Sequence, residues 1–125
     1  QYNKAVLKSR VVEIQTVFDA VGKGAEAYWL TGSVGYDTNI VESVDVDVTQ
    51  MLDCFNNFFC NSKDNRIQYG FTGSPYGFHF YATIADEPHL MLTHNFYGGK
   101  WYNGCGPESH YICKSLKSSG WTRTE

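Results

Sequence analysis

Apolar and polar positions alternate most regularly between residues 76 and 96. If Ile84 pairs with Leu90, the remaining apolar residues of the two strands also meet on one side: Ala82 with Leu92, Phe80 with His94, and Phe78 with Phe96. A register that places every apolar pair on one face is specified by the pattern itself. The sequence therefore predicts an antiparallel hairpin of residues 76–84 and 90–96. Residues 66–71 alternate in the same way and predict a strand before it.

Two other stretches have the spacing of a helix. Between residues 3 and 21 the apolar residues recur every three or four positions, as in one face of a helix: Leu7, Val11, Ile14, Phe18 and Val21. Gly22 and Gly24 are typical of a helix end. Residues 48–60 show a similar stripe and predict a central helix, with Asp47 and Gln50 as a capping box at its start.

The remaining elements are shorter. Residues 25–31 and 40–46 are predicted to be strands, and residues 101–104 a loop after the Gly98-Gly99 strand break. Pro107 and Gly120 bracket a predicted third helix over residues 107–119. This order predicts one α+β domain over residues 1–125. Its expected architecture is a two-layer α/β sandwich of about five mainly antiparallel strands and three helices near 3–21, 48–60 and 107–119, stabilised by disulfides.

The four cysteines favour an oxidising compartment, because an even number accompanies few charged residues (18%) and no paired Cys-x-x-Cys spacing. We expect two disulfides and a secreted protein. If Cys54 and Cys60 were both helical they would lie too far apart to pair, so each would reach Cys105 or Cys113. The competing pattern, Cys54 with Cys60 and Cys105 with Cys113, requires the central helix to end before Cys60.

The charge balance limits the classes of partner. The formal net charge is −3 and the ten Lys and Arg residues are scattered, which argues against binding to nucleic acid or to an anionic membrane. The chain contains no run of apolar residues long enough to span a bilayer. No motif for a metal ion or a cofactor is present, so neither is expected.

Histidine is the first residue type to consider for acid–base catalysis near neutral pH. The predicted hairpin places His79 and His94 on opposite faces of the sheet, so the two side chains cannot share a substrate. His94 is therefore expected to be a hydrogen-bonded core or edge residue. A small secreted hydrolase such as a ribonuclease would have to use His79 or His110, with Glu108 or Asp86 as the acid.

Aromatic residues instead favour recognition. Exposed tyrosine and tryptophan are typical of contact surfaces, and the candidates are Tyr97, Trp101 and Tyr102, followed by the polar face that carries His79 and Tyr81. The sequence thus favours a secreted binding or toxin-like domain of the general class of killer toxins and effectors. Its partner would be a protein, a cell-surface component or a glycan, and a second chain from the same precursor is an additional candidate.

Overall fold

The computed structural model describes residues 4–32, 34–35, 40–43, 50–55, 59–118 and 121–123. In these residues a long helix, α1, and a short helix, α2, precede a meander of six antiparallel strands, β1 to β6. Helix α3 then leads to a short strand, β7, which pairs parallel with β6. The bounds are α1 Lys4–Trp29, α2 Ile40–Ser43, β1 Leu52–Cys54, β2 Phe59–Ser62, β3 Ile67–Ser74, β4 Gly77–Ile84, β5 Glu87–Tyr97, β6 Lys100–Gly106, α3 Tyr111–Lys117 and β7 Thr122–Arg123. The fold is α+β and is cross-linked by two disulfides.

Strands β3, β4 and β5 form the centre of the sheet. The predicted register of β4 and β5 is confirmed for three pairs: Ala82 with Leu92, Phe80 with His94, and Phe78 with Phe96. The fourth pair is wrong, because the register shifts beside Thr83 and Ile84 lies opposite Glu87. The partner of Ile84 is displaced by three residues, and because this irregularity lies at the strand end, the sides of the other residues are unchanged. The apolar residues of both strands therefore face one layer.

Strand β6 occupies the place of the predicted loop over residues 101–104. Gly98 and Gly99 both have positive φ angles, 61° and 78°, and form the two-residue turn between β5 and β6. Such turns need φ above zero at both central positions, which glycine adopts without steric cost. The two glycines therefore reverse the chain rather than end the sheet. Trp101 then lies opposite Phe96, and Asn103 lies opposite His94.

Helix α1 packs across the apolar side of the sheet and is longer than predicted. It continues to Trp29, so the strand predicted over residues 25–31 is wrong. Gly22 and Gly24 are buried within the helix rather than ending it. A Cβ built on Gly22 would lie 3.2 Å from His94 Nε2 and 3.3 Å from the Trp101 ring. The glycine thus permits a close approach between α1 and the sheet.

Polar contacts connect α1 to the sheet along its length. Near the start of the helix, Arg10 forms an ion pair of 2.6 Å with Asp64 in the turn between β2 and β3. Near its end, the Trp101 indole N–H donates to Glu26 at 2.6 Å. The Trp29 indole N–H donates to a backbone carbonyl in the β3–β4 turn at 3.1 Å. The position of α1 is therefore fixed by these polar contacts as well as by the apolar surface buried between α1 and the sheet.

The central helix predicted over residues 48–60 is wrong in the described residues. Leu52–Cys54 and Phe59–Ser62 are strands, and Cys54 lies directly opposite Cys60, to which it is bonded. Of the predicted capping box, Asp47 lies outside the described part of the chain, and residues 56–58 lie outside it as well. Of the strand predicted over residues 40–46, Ile40–Ser43 is helical instead, and residues 44–46 lie outside the described residues.

The second disulfide joins Cys105 of β6 to Cys113 of α3. The competing cysteine pattern is therefore the observed one, and the expected cross-link between a central and a last helix is wrong. Helix α3 begins at Tyr111 rather than at Pro107. His110 is its N-cap residue, and the His110 Nδ1 accepts a hydrogen bond of 3.1 Å from the backbone N–H of Ile112. An imidazole nitrogen here satisfies an amide that the helix leaves unpaired.

Candidate functional site

The two faces of the sheet differ in what covers them. The inner face packs against α1 and contains the aromatic core, including Tyr69, Phe71 and Phe80. The described helices all pack on this side, since Ile40 of α2 lies against Gly73 and Cys113 of α3 is bonded to Cys105. The opposite side, here called the outer face, carries Gln68, Thr72, His79, Tyr81, Thr83, Met91, Thr93, Asn95, Tyr97, Lys100 and Tyr102.

A histidine and an asparagine pair on the outer face, at the end of the sheet near the Gly98-Gly99 turn. His79 Nδ1 lies 2.5 Å from Asn95 Oδ1 across the β4–β5 pair, and both residues keep solvent contact. Because a carbonyl oxygen only accepts, Nδ1 carries the proton and Nε2 of the neutral ring is left as an acceptor. Beside it, the Thr72 hydroxyl donates to the backbone carbonyl of His79 at 3.1 Å. The arrangement offers fixed hydrogen-bonding groups on a rigid sheet.

Aromatic rings flank this polar pair. Tyr97 and Tyr102 stack with ring centroids 4.6 Å apart, and they are 56% and 40% exposed. Tyr81 lies over Gly70, where a Cβ would come within 2.1 Å of its ring. A cavity of about 280 Å³ opens between Tyr76 and Tyr97 at the β3–β4 turn, with His79 on its wall. Rings held in place by neighbours lose little entropy on contact with a ligand.

Trp101 does not belong to this surface. Alternation along β6 directs it to the inner face, where it stacks on His94 at 4.2 Å and packs against Phe96. The expectation of an exposed Trp101 was wrong because it depended on a loop over residues 101–104. Four of the five predicted binding residues, Tyr97, Tyr102, His79 and Tyr81, do lie together on the outer face.

The residues considered for catalysis are separated. His110 Nε2 donates to Glu87 at 3.3 Å, whereas Glu108 forms an ion pair of 3.7 Å with Lys117. Glu87 is at the opposite end of β5 from the partner of His79, about 25 Å away at about 3.3 Å per strand residue. In the described part of the chain, His79, His110 and Glu108 therefore do not converge on one substrate.

His94 forms a second polar arrangement, on the inner face. It is 8% exposed and is stacked between Phe18 at 5.5 Å and Trp101 at 4.2 Å. Its Nδ1 lies 2.5 Å from Asn103 Oδ1. Burial lowers the pKa of His94 below its usual 6.5, against the opposing effects of the Asn103 hydrogen bond and the Asp19 charge. The expected hydrogen-bonded core histidine is thus confirmed.

Next to this histidine is a cavity of about 240 Å³, here called the His94 cavity. It is lined by Gln15, Phe18, Asp19, His94, Asn103 and Trp121. Sequence reasoning missed it because its walls come from α1, two strands and the segment before β7. The one local signal was Gly-Gly followed by alternating Trp101, Asn103 and Cys105, which indicates a hairpin strand and so places Asn103 beside His94.

No group of three or more His, Cys, Asp or Glu side chains among the described residues is arranged to hold a metal ion. Within the same residues, no helix has both the length and the apolar character needed to cross a membrane. Comparison of the chain with protein-family models, with curated protein sequences and with solved structures finds no match.

Proposed function

We propose that the protein is a secreted binding domain, of the general class of killer toxins and effectors, that acts by contact rather than by catalysis. Its contact surface is the outer face, and its partner is a neutral glycan at a cell surface. The observation that carries this proposal is the rigid polar and aromatic surface formed by Tyr97, Tyr102, His79 and Asn95 on the side of the sheet opposite the described helices.

The chemistry of this surface fits a sugar. A pyranose ring presents C–H groups that pack on an aromatic face and hydroxyl groups that need hydrogen-bonding partners. The stacked pair Tyr97 and Tyr102 supplies the first, and His79 Nε2, the Asn95 amide and the Thr72 hydroxyl are available for the second. The cavity beside Tyr97, about 280 Å³, is at the low end for ligand pockets and suits one monosaccharide unit.

The charges near these residues support a neutral ligand. Among the described residues of this end of the outer face, Lys100 carries the one formal charge. A polyanion or a strongly basic peptide would need several opposite charges to gain affinity. Secretion is supported by the two disulfides, which persist in oxidising compartments.

The proposal is tested by adsorption to purified, insoluble cell-wall polysaccharides such as chitin, β-1,3-glucan and mannan. We expect saturable adsorption to at least one of them, weakened about tenfold or more by Tyr97→Ala or Tyr102→Ala, since truncating an aromatic anchor removes much of the binding energy. Tyr111→Ala is the matched control, because Tyr111 is 37% exposed but stacks on His110 instead of lying on the outer face.

Two outcomes would contradict the proposal. In the first, adsorption is absent on all the polysaccharides, or falls equally in Tyr97→Ala and Tyr111→Ala. In the second, the purified protein cleaves RNA or a soluble glycan with turnover, and His79→Ala removes that activity. The second result would make the protein a hydrolase with His79 in its active site.

A further inference from the structure

The His94 cavity is separate from the outer face, since its walls belong to the layer between α1 and the sheet. Gln15, Phe18 and Asp19 come from successive turns of α1, His94 from β5, Asn103 from β6, and Trp121 from the residue before β7. Its volume of about 240 Å³ is small for a ligand pocket and limits the occupant to a small molecule or a single side chain. The cavity is therefore formed by tertiary packing and not by a loop.

The polar groups of its walls include several acceptors. Asn103 Oδ1 accepts from His94 Nδ1, so Nε2 of the neutral ring carries a lone pair. This ring is more than nine-tenths buried, and no described residue forms a hydrogen bond with its Nε2. Asp19 contributes a carboxylate, and Gln15 a side-chain amide that carries both an acceptor and a donor. As an acceptor with no partner in the described part of the chain, Nε2 can receive a hydrogen bond from a donor in the cavity.

The charge of the cavity is negative. Asp19 is its one acidic side chain, and no described residue forms an ion pair with it, including Lys23 one helical turn further along α1. The lining contains no lysine or arginine. The aromatic residues Phe18 and Trp121 complete the wall. A carboxylate beside aromatic rings attracts a cation and repels an anion.

We propose that the His94 cavity is a binding site for a small organic cation, a primary ammonium group on a short alkyl chain. The ammonium group donates to Asp19 and to the acceptors near it, and the alkyl chain contacts Phe18 and Trp121. The same chemistry is available from a free amine and from a lysine side chain of another protein. This site does not depend on glycan binding by the outer face, so either proposal can fail without the other.

The test is an NMR titration of the isotope-labelled, intact protein with n-butylammonium, n-butanol and butyrate at constant ionic strength. The signals followed are the Trp121 indole N–H and the His94 ring. We expect saturable shifts with n-butylammonium, binding of n-butanol weaker by about tenfold or more, and no binding of butyrate.

N-acetyl-lysine methylamide is the second ammonium probe. If it binds as n-butylammonium does, the site admits a lysine side chain. If N-acetyl-lysine methylamide does not bind while n-butylammonium does, the site is restricted to free amines.

Variants separate this site from nonspecific attraction. Asp19→Asn should weaken binding of n-butylammonium by about tenfold or more, because it removes the charge on the wall. Asp86→Asn is the matched control, since Asp86 is a surface carboxylate that pairs with Arg66 outside the cavity. Asp19 is exposed, so its variant should keep the wild-type spectrum elsewhere. The proposal is overturned if n-butylammonium and n-butanol bind equally, if neither binds, or if the two variants weaken binding to the same extent.

Discussion

The two faces of the sheet carry the same pair of side chains in opposite environments. His79 and His94 each place Nδ1 at 2.5 Å from the Oδ1 of an asparagine on the next strand, Asn95 and Asn103 respectively. On the outer face the pair keeps solvent contact beside tyrosines. On the inner face the histidine is stacked between Phe18 and Trp101 under helix α1.

This difference shows how burial changes the consequence of one hydrogen bond. In water the His79 pair competes with solvent, so it orients two side chains without adding much stability. In the interior, loss of the Asn103 partner would leave a buried donor unpaired. We therefore expect substitutions on the inner face to change folding, and equivalent substitutions on the outer face to change binding.

The largest expected effect is on the ring that covers His94. Phe18→Ala removes a buried side chain that contacts Tyr69, Phe80 and His94. It should lower the free energy of unfolding by about 3–5 kcal/mol, as other buried Phe→Ala changes do. Urea denaturation followed by circular dichroism measures the loss. Tyr102→Ala on the outer face should cost less than about 1 kcal/mol, and an equal cost at the two positions would refute the assignment of faces.

The asparagine partners give the most closely matched pair of variants. Asn103→Ala should destabilise the protein by about 1–3 kcal/mol, because the buried His94 Nδ1–H loses its acceptor. Asn95→Ala should change stability by about 0.5 kcal/mol or less, since water can replace the lost group at His79. Thermal unfolding of both variants at one pH checks the order. A larger effect for Asn95→Ala would contradict it.

The pH dependence of stability should reflect the burial of His94. Burial lowers the pKa of folded His94 below 6.5, so above that pH the unfolded and folded states both hold this ring neutral. As the pH falls below 6.5, the unfolded chain binds a proton more readily than the folded one. Stability is then lost at up to about 1.4 kcal/mol per pH unit until the folded pKa is reached.

His94→Gln isolates this contribution, because the other three histidines remain in both proteins. The difference in unfolding free energy between wild type and variant should be constant above about pH 6.5 and should shrink below it. Chemical denaturation at a series of pH values provides the curves. Parallel curves over the whole acidic range would show that His94 does not titrate as its burial requires.

Local patterns predicted the centre of the sheet but not its surroundings. In β4 and β5 the side of each residue follows from alternation alone, so the register and the outer position of His79 and Tyr81 could be predicted. The end of α1 could not be predicted, because Gly22 is typical of a helix end. Here Gly22 lies inside the helix and allows close contact with His94 and Trp101, which are distant in sequence.

The prediction was least accurate for residues 48–60, where nonlocal pairing determines the structure of the described residues. The spacing of Leu52, Phe55 and Phe59 fits one face of a helix. Hydrogen bonding to β3 and the Cys54–Cys60 bond select the strands in the described residues, and neither is encoded by spacing. The His94 cavity has the same origin, since its walls meet only when α1 packs on the sheet. Asn103 could have been placed from the Gly98-Gly99 turn, but Asp19 and Trp121 could not.

The most direct test of the account is the accessibility of each face to a soluble paramagnetic probe in an NMR experiment. We expect strong broadening of the ring signals of His79, Tyr97 and Tyr102, and protection of those of Phe18, His94 and Trp101. Broadening of the His94 and Trp101 signals to the extent seen for Tyr97, or protection of Tyr97 and Tyr102, would contradict the assignment of the two faces.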